Sequence, residues 1–298
     1  MRWIITIAGI FALTGTASGQ VADAQGRASQ AISDGEYTKA LGELAVALEE
    51  EPENAYSHYL AALAYLDSRS RADKAEHHLT KAEEYGAQAQ PVAFLRARIN
   101  ARQGNHEAAL AIIESLAEGG YAQLSRLQQQ EDFDPIRGEA RFEDALAKVR
   151  AARYPCQADS RHADFDFWVG DWNVYQNGTF AGENAISSIL GGCLVFEEWQ
   201  SASGSRGKSF NYFDPGRNHW RQIWVADTGT IIEFTGEARD GGIFYTAETT
   251  DPASGAVTHH RFEFTPQPGG EVRQFWATSS DKSEWTTIWD GIYKRKEN

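Results

Sequence analysis

The side chains of this chain that could do chemistry stand mostly as neighbours, not as sets. His259 and His260 are adjacent, and in the alternating apolar pattern around them adjacent residues face opposite sides of a strand, so they do not chelate one ion together. Glu197 and Glu198 are split in the same way, which removes them as a paired acid and base of the glycosidase kind. His77 and His78 lie on a helical stretch about 100° apart and do not form a metal pair. Ser203-Gly204-Ser205 is a loop and not a nucleophile elbow. No glycine-rich phosphate loop follows a strand. Asp166 and Asp171 suit backbone amides better than catalysis. His260 shares the parity of Phe262 and Phe264, so it is the histidine that could point inward, either as a satisfied wall residue or as a haem ligand.

The elements that would position these groups fall into two textures. The chain has 298 residues and a formal charge of −14. That acidic balance argues against a nucleic-acid partner, which needs a basic patch. The composition is that of a globular protein and not of a disordered or coiled-coil chain. Residues 24–153 are rich in Ala, Leu, Glu and Gln, which favour helix. Residues 160–298 carry eight of the nine tryptophans together with Phe, Tyr, Thr and Gly, a composition for strands and turns.

Ahead of both halves, residues 1–19 read as a signal peptide. Arg2 precedes an apolar run from Trp3 to Leu13, then the small residues Thr14 to Gly19, with cleavage near Gly19 or Gln20. The run is shorter than the roughly 20 residues a membrane span needs. The mature protein is therefore expected to be exported, periplasmic or extracellular, with no membrane span. In an oxidising compartment Cys156 and Cys193 can form one bridge; a reactive thiol pair is the alternative.

The helical half repeats. Ala40, Ala75 and Ala109 are spaced by 35 and 34 residues; Leu44, Leu79 and Ile113 keep step, as do Ala47, Ala82 and Leu116. This period, with small residues where paired helices touch, resembles the tetratricopeptide repeat in three units. The resemblance implies stacked helical hairpins with a groove for a protein partner, lined by Tyr56, Tyr59, Arg96 and Asn100. Phe142, Leu146 and Val149 share one face of a closing helix.

In the second half the period is two. Turn signals such as Asp214-Pro215-Gly216 and Asp240-Gly241-Gly242 separate about ten strands, over 171–176, 183–190, 193–200, 207–213, 219–226, 230–239, 242–250, 257–266, 271–279 and 284–295. Short links require antiparallel pairing, and closure into an up-and-down barrel removes exposed edges; a sandwich is the rival. The expected fold class is thus α + β multidomain, a helical repeat followed by a barrel.

Gly170-Asp171-Trp172 resembles the Gly-x-Trp opening of lipocalins and related fatty-acid-binding-like barrels. That likeness implies Gly170, Trp172 and Arg295 at the barrel base. With Phe165 to Trp172, Leu190 to Cys193 and Ser209 to Pro215, the half also resembles an exported bacterial family of unknown function, which implies no activity. Placing aromatic-rich faces inward gives Tyr212, Trp220, Gln222, Trp224, His260, Phe264, Gln274, Trp276, Trp285 and Trp289 as the lining of a ligand site. The expectation is a non-catalytic binding protein with no cofactor, its barrel holding a small apolar ligand. The alternatives are an interaction module with a filled barrel, or an enzyme or haem-binding barrel using His260.

Overall fold

The computed structural model describes residues 19–69 and 71–297; the expected signal segment lies almost wholly outside them. The chain divides into two compact units, Met1–Arg153 and Tyr154–Asn298. No helix among the described residues is long and apolar enough to cross a membrane.

The first unit is helical: α1 Gly19–Ser33, α2 Tyr37–Glu50, α3 Ala55–Asp67, α4 Ala72–Glu84, α5 Ala89–Arg102, α6 His106–Glu118, the short α7 Leu124–Gln129 and α8 Ala140–Arg153. Four of these end alike. After α1 and α5 the chain turns through Gly35 and Gly104 at φ of 76° and 80°, a left-handed conformation that costs glycine little. The next amide, of Glu36 or Asn105, then donates to the carbonyl five residues back, Ala31 or Asn100, and the same bond closes α4 at Ala87 and α6 at Tyr121. This is the Schellman closure, which satisfies carbonyls that a helix end leaves open. At the start of α3, the side chain of Asn54 accepts from the amide of Ser57 at 3.0 Å, an N-cap.

Each of the helices α1 to α5 packs on its successor in the chain, and α6 packs on α8. The recurring alanines make this close approach possible: Ala40, Ala75 and Ala109 are fully buried, as are Leu44, Leu79 and Ile113. The far end is pinned by charge. Arg98, 5% exposed, donates to Asp132 at 2.8 Å and to Asp67 at 2.5 Å, and Arg102 holds the other oxygen of Asp132. His78 finds its partner in His58, not in His77: their Nδ1 atoms are 2.9 Å apart, while His58 Nε2 faces the Pro52 carbonyl. Of the expected groove residues, Tyr59 is buried in the core, Tyr56 packs against it, Arg96 is paired with Glu76 and Glu83, and Asn100 donates to its own helix at the Arg96 carbonyl.

The second unit is a closed barrel of ten antiparallel strands, each hydrogen-bonded to its sequence neighbours, with β1 closing on β10. The strands are β1 Gly170–Gln176, β2 Thr179–Ile189, β3 Leu194–Ser201, β4 Arg206–Asp214, β5 His219–Ala226, β6 Ile231–Arg239, β7 Gly242–Thr250, β8 Val257–Pro266, β9 Val272–Ser279 and β10 Thr286–Arg295. The starts of β2 and β10 depart from the sequence reading by four and two residues; the others lie within one. A disulfide joins Cys156, in the helical turn α9 Pro155–Ala158, to Cys193 at the head of β3.

Candidate functional site

The barrel interior is layered. One end is filled. A turn of 3₁₀ helix, Asp166–Trp168, caps it, and Phe165 and Trp168 stack there with centroids 4.9 Å apart. Phe264 lies 4.5 Å from Trp168, and Trp220 meets Phe165 edge-on. All four rings are buried. At the same end Arg295 pairs in register with Trp172. Its Nη1 donates to the Val169 carbonyl at 3.1 Å. A Cβ on Gly170 would collide with that guanidinium, so the arginine occupies the room that glycine leaves.

Above this base lies a polar layer. Glu197, on β3, is 2% exposed. Asn184 Nδ2 donates to its Oε1 at 2.7 Å and Ser209 Oγ to its Oε2 at 2.6 Å. Ser209 in turn accepts from Asn211 Nδ2 at 2.8 Å. Asn184 also donates to the Tyr293 hydroxyl, which donates on to Gln274. Burial drives the Glu197 carboxyl up to about 7, the two hydrogen bonds opposing that rise, with no cation among the influences on it. A carboxyl taken out of water without a counter-charge favours its neutral form. Tyr245 and Tyr293 are held neutral well above the ordinary range, first by burial and then by the Glu197 charge.

Over the polar layer the barrel opens into a cavity of about 220 Å³. Its wall carries Trp199, Trp224, Trp276 and Trp289, with Phe234, Phe262 and Ile288; Glu197, Gln274 and Tyr293 supply the polar part. Three of the four indoles lie against glycines of neighbouring strands or their own: Trp199 against Gly182, Trp224 against Gly207, and Trp289 against Gly291, where any Cβ would come into collision. Trp289 Nε1 has no hydrogen-bond partner among the described residues. His260 stands in the wall beside Phe234 and Trp276. Both of its nitrogens are engaged, Nδ1 by the Trp276 N–H at 3.1 Å and Nε2 by Thr249 Oγ1 at 2.8 Å. Since the indole N–H only donates, Nδ1 accepts and Nε2 carries the proton. A haem iron would have to break one of these bonds.

Four of the ten lining residues expected from sequence meet at the cavity: Trp224, Gln274, Trp276 and Trp289. Trp220, Gln222 and Phe264 are interior but lie in the filled base or the polar layer. Two are corrected. Tyr212 sits on the outward face of β4, whose buried positions are Gly207, Ser209, Asn211 and Phe213; this strand turns polar residues inward and leaves Phe210 exposed against Phe196. Trp285 lies ahead of β10, under the guanidinium of Arg261 at 3.9 Å, with its N–H given to the Lys282 carbonyl. A register shift between Thr287 and Trp289 breaks the alternation that would have carried it inward. Sequence reasoning missed Glu197, Trp199, Phe234, Phe262, Ile288 and Tyr293. The signal for two of them was present, since Glu197 and Trp199 share the parity of Val195 on β3.

No known family model matches the chain, and no curated protein matches it either.

Proposed function

We propose that this protein is an exported, non-catalytic binding protein whose barrel holds one small ligand with an apolar body. The observation that carries this reading is the cavity of about 220 Å³ walled by four indoles above a polar floor. It is smaller than the roughly 300–1,000 Å³ of sites for drug-sized molecules, which favours a compact ligand over haem or a long acyl chain. The glycines opposite Trp199, Trp224 and Trp289 support a space kept open by design of the strands, because side chains there would fill it. The disulfide suits an oxidising compartment, and with the sequence of residues 1–19 it supports export.

The test is a titration of small aromatic and apolar compounds followed by tryptophan fluorescence. A saturable change that is lost in Trp224→Ala and Trp289→Ala supports the reading; no saturable change with any compound favours a filled barrel. For the helical unit, the 34–35-residue period supports a tetratricopeptide-like module that docks a protein partner.

A further inference from the structure

The cavity reading says nothing of the ligand's charge, and the polar floor does. We propose that the ligand is a small organic ammonium, its charge set against Glu197 and its apolar body among the indoles of Trp199, Trp224, Trp276 and Trp289; the proposal rests on the barrel being a ligand site. Three observations converge on it. First, among the described residues Glu197 is the one carboxylate of the lining, and the lining holds no lysine or arginine. A carboxylate or phosphate ligand would meet like charge and no counter-ion. A neutral ligand would give the buried carboxyl no counter-charge. Second, each carboxyl oxygen of Glu197 is met by a donor. Asn211 donates to Ser209, Ser209 to Glu197, and Asn184 to Glu197 from the other side. Both oxygens of the carboxyl therefore accept a donated proton, an arrangement that suits its ionised form and leaves each oxygen a further lone pair. Third, the wall is built of indoles, the side chains whose ring faces attract cations best.

A divalent metal does not fit the same site. Hard cations need several oxygen ligands, carboxylates above all, and no group of three or more His, Cys, Asp or Glu that could hold a metal ion exists among the described residues. The charge of the whole chain, −14, also raises the local concentration of cations.

The proposal fixes a pH dependence. The groups facing Glu197 are Asn184 and Ser209, which do not titrate, and Tyr293 and Tyr245, which stay neutral. His260, in the wall, is lowered from its ordinary value by burial, so it is uncharged at neutral pH and its protonation in acid would repel a cation. Binding should therefore weaken as pH falls below about 7.

The experiment compares three probes of one shape on the unmodified protein: 2-phenylethylammonium, 2-phenylethanol and phenylacetate, each titrated by tryptophan fluorescence and calorimetry. The expected result is that the ammonium binds at least tenfold more tightly than the alcohol and that phenylacetate does not bind. The ammonium's affinity should fall toward tenfold per pH unit below 7 while the alcohol's is flat. In Glu197→Gln the ammonium's advantage over the alcohol should disappear. Equal affinity for ammonium and alcohol, or a pH-independent ammonium affinity, overturns the cation proposal and leaves the cavity reading standing. Silence from all three probes and from an apolar dye overturns both. Because the comparison of probes needs no substitution, it decides the matter even if Glu197→Gln does not fold.

Discussion

Arg295 lies with its guanidinium carbon 4.4 Å from the ring centroid of Trp172, so the last strand of the barrel is clamped across the first. The two residues are 123 positions apart, and their meeting is what closes the cylinder at its filled end. The arginine contributes both the ring contact and the hydrogen bond to Val169. Arg295→Ala should destabilise the barrel by about 1–2 kcal/mol, read as a lower midpoint in urea unfolding. Arg295→Lys should recover only part of it, because the ammonium cannot stack on the ring and reach the carbonyl at once. An unchanged midpoint for Arg295→Ala would show that closure rests on the strand ladder alone.

Trp224 on β5, paired in register with Ser209, lays its indole diagonally over Gly207 of β4, where a Cβ would go. Gly207→Ala should therefore push Trp224 into the cavity. The expected stability cost is about 1–3 kcal/mol for overpacking. The decisive readout is binding, since the probe response should be lost while the fold persists by circular dichroism. Retained binding would mean that Trp224 can swing outward.

Glu197 makes stability depend on pH in a known direction. Its carboxyl sits at about 7 in the folded protein against an ordinary 4.5, so between those values the folded state holds a proton that the unfolded state has lost. Stability from this group is complete below about 4.5 and falls as pH rises through 7, by about 3 kcal/mol in all. His78 acts in the opposite sense. Burial and the neighbouring His58 lower it to about 4, so its contribution is lost as pH drops from 6.5 toward 4. The two are separated by Glu197→Gln, in which the fall in stability between pH 5 and 8 should disappear while the acid-side loss remains. If unfolding free energies of the two proteins run parallel over that range, the carboxyl does not titrate there.

Asp132 receives both Arg98 and Arg102 in the helical unit, with side chains of Asp132 and Arg98 each 6% exposed. Asp132→Asn should cost about 3–5 kcal/mol, because two guanidinium groups lose their shared counter-charge. Replacing an exposed pair such as Lys39 and Glu36 should change stability far less, because water screens it. Equal effects in thermal unfolding would show that the buried cluster is solvated.

Much of this protein was decided by local pattern. The 34–35-residue recurrence of Ala40, Ala75 and Ala109 marked helix contacts, and all three are buried. Ten strand segments and an antiparallel closed barrel followed from alternation and short turns, because links of two to six residues leave no room for a crossover. What the pattern alone could not decide was phase. On β4, aromatic Phe210 and Tyr212 face outward while Ser209 and Asn211 face in, since the interior at that level is a hydrogen-bonded layer built around Glu197. On β10, one register shift near Thr287 separates Trp285 from Trp289. The role of Glu197 depends on Asn184 from β2 and Ser209 from β4 arriving at its two oxygens. Those partners lie 13 and 12 residues away, and the registers of the β2–β3 and β3–β4 pairs, with Ser209 directly opposite Glu197, bring them to one depth. Side-chain type is written in the chain; which side chains share a layer is set by register and closure.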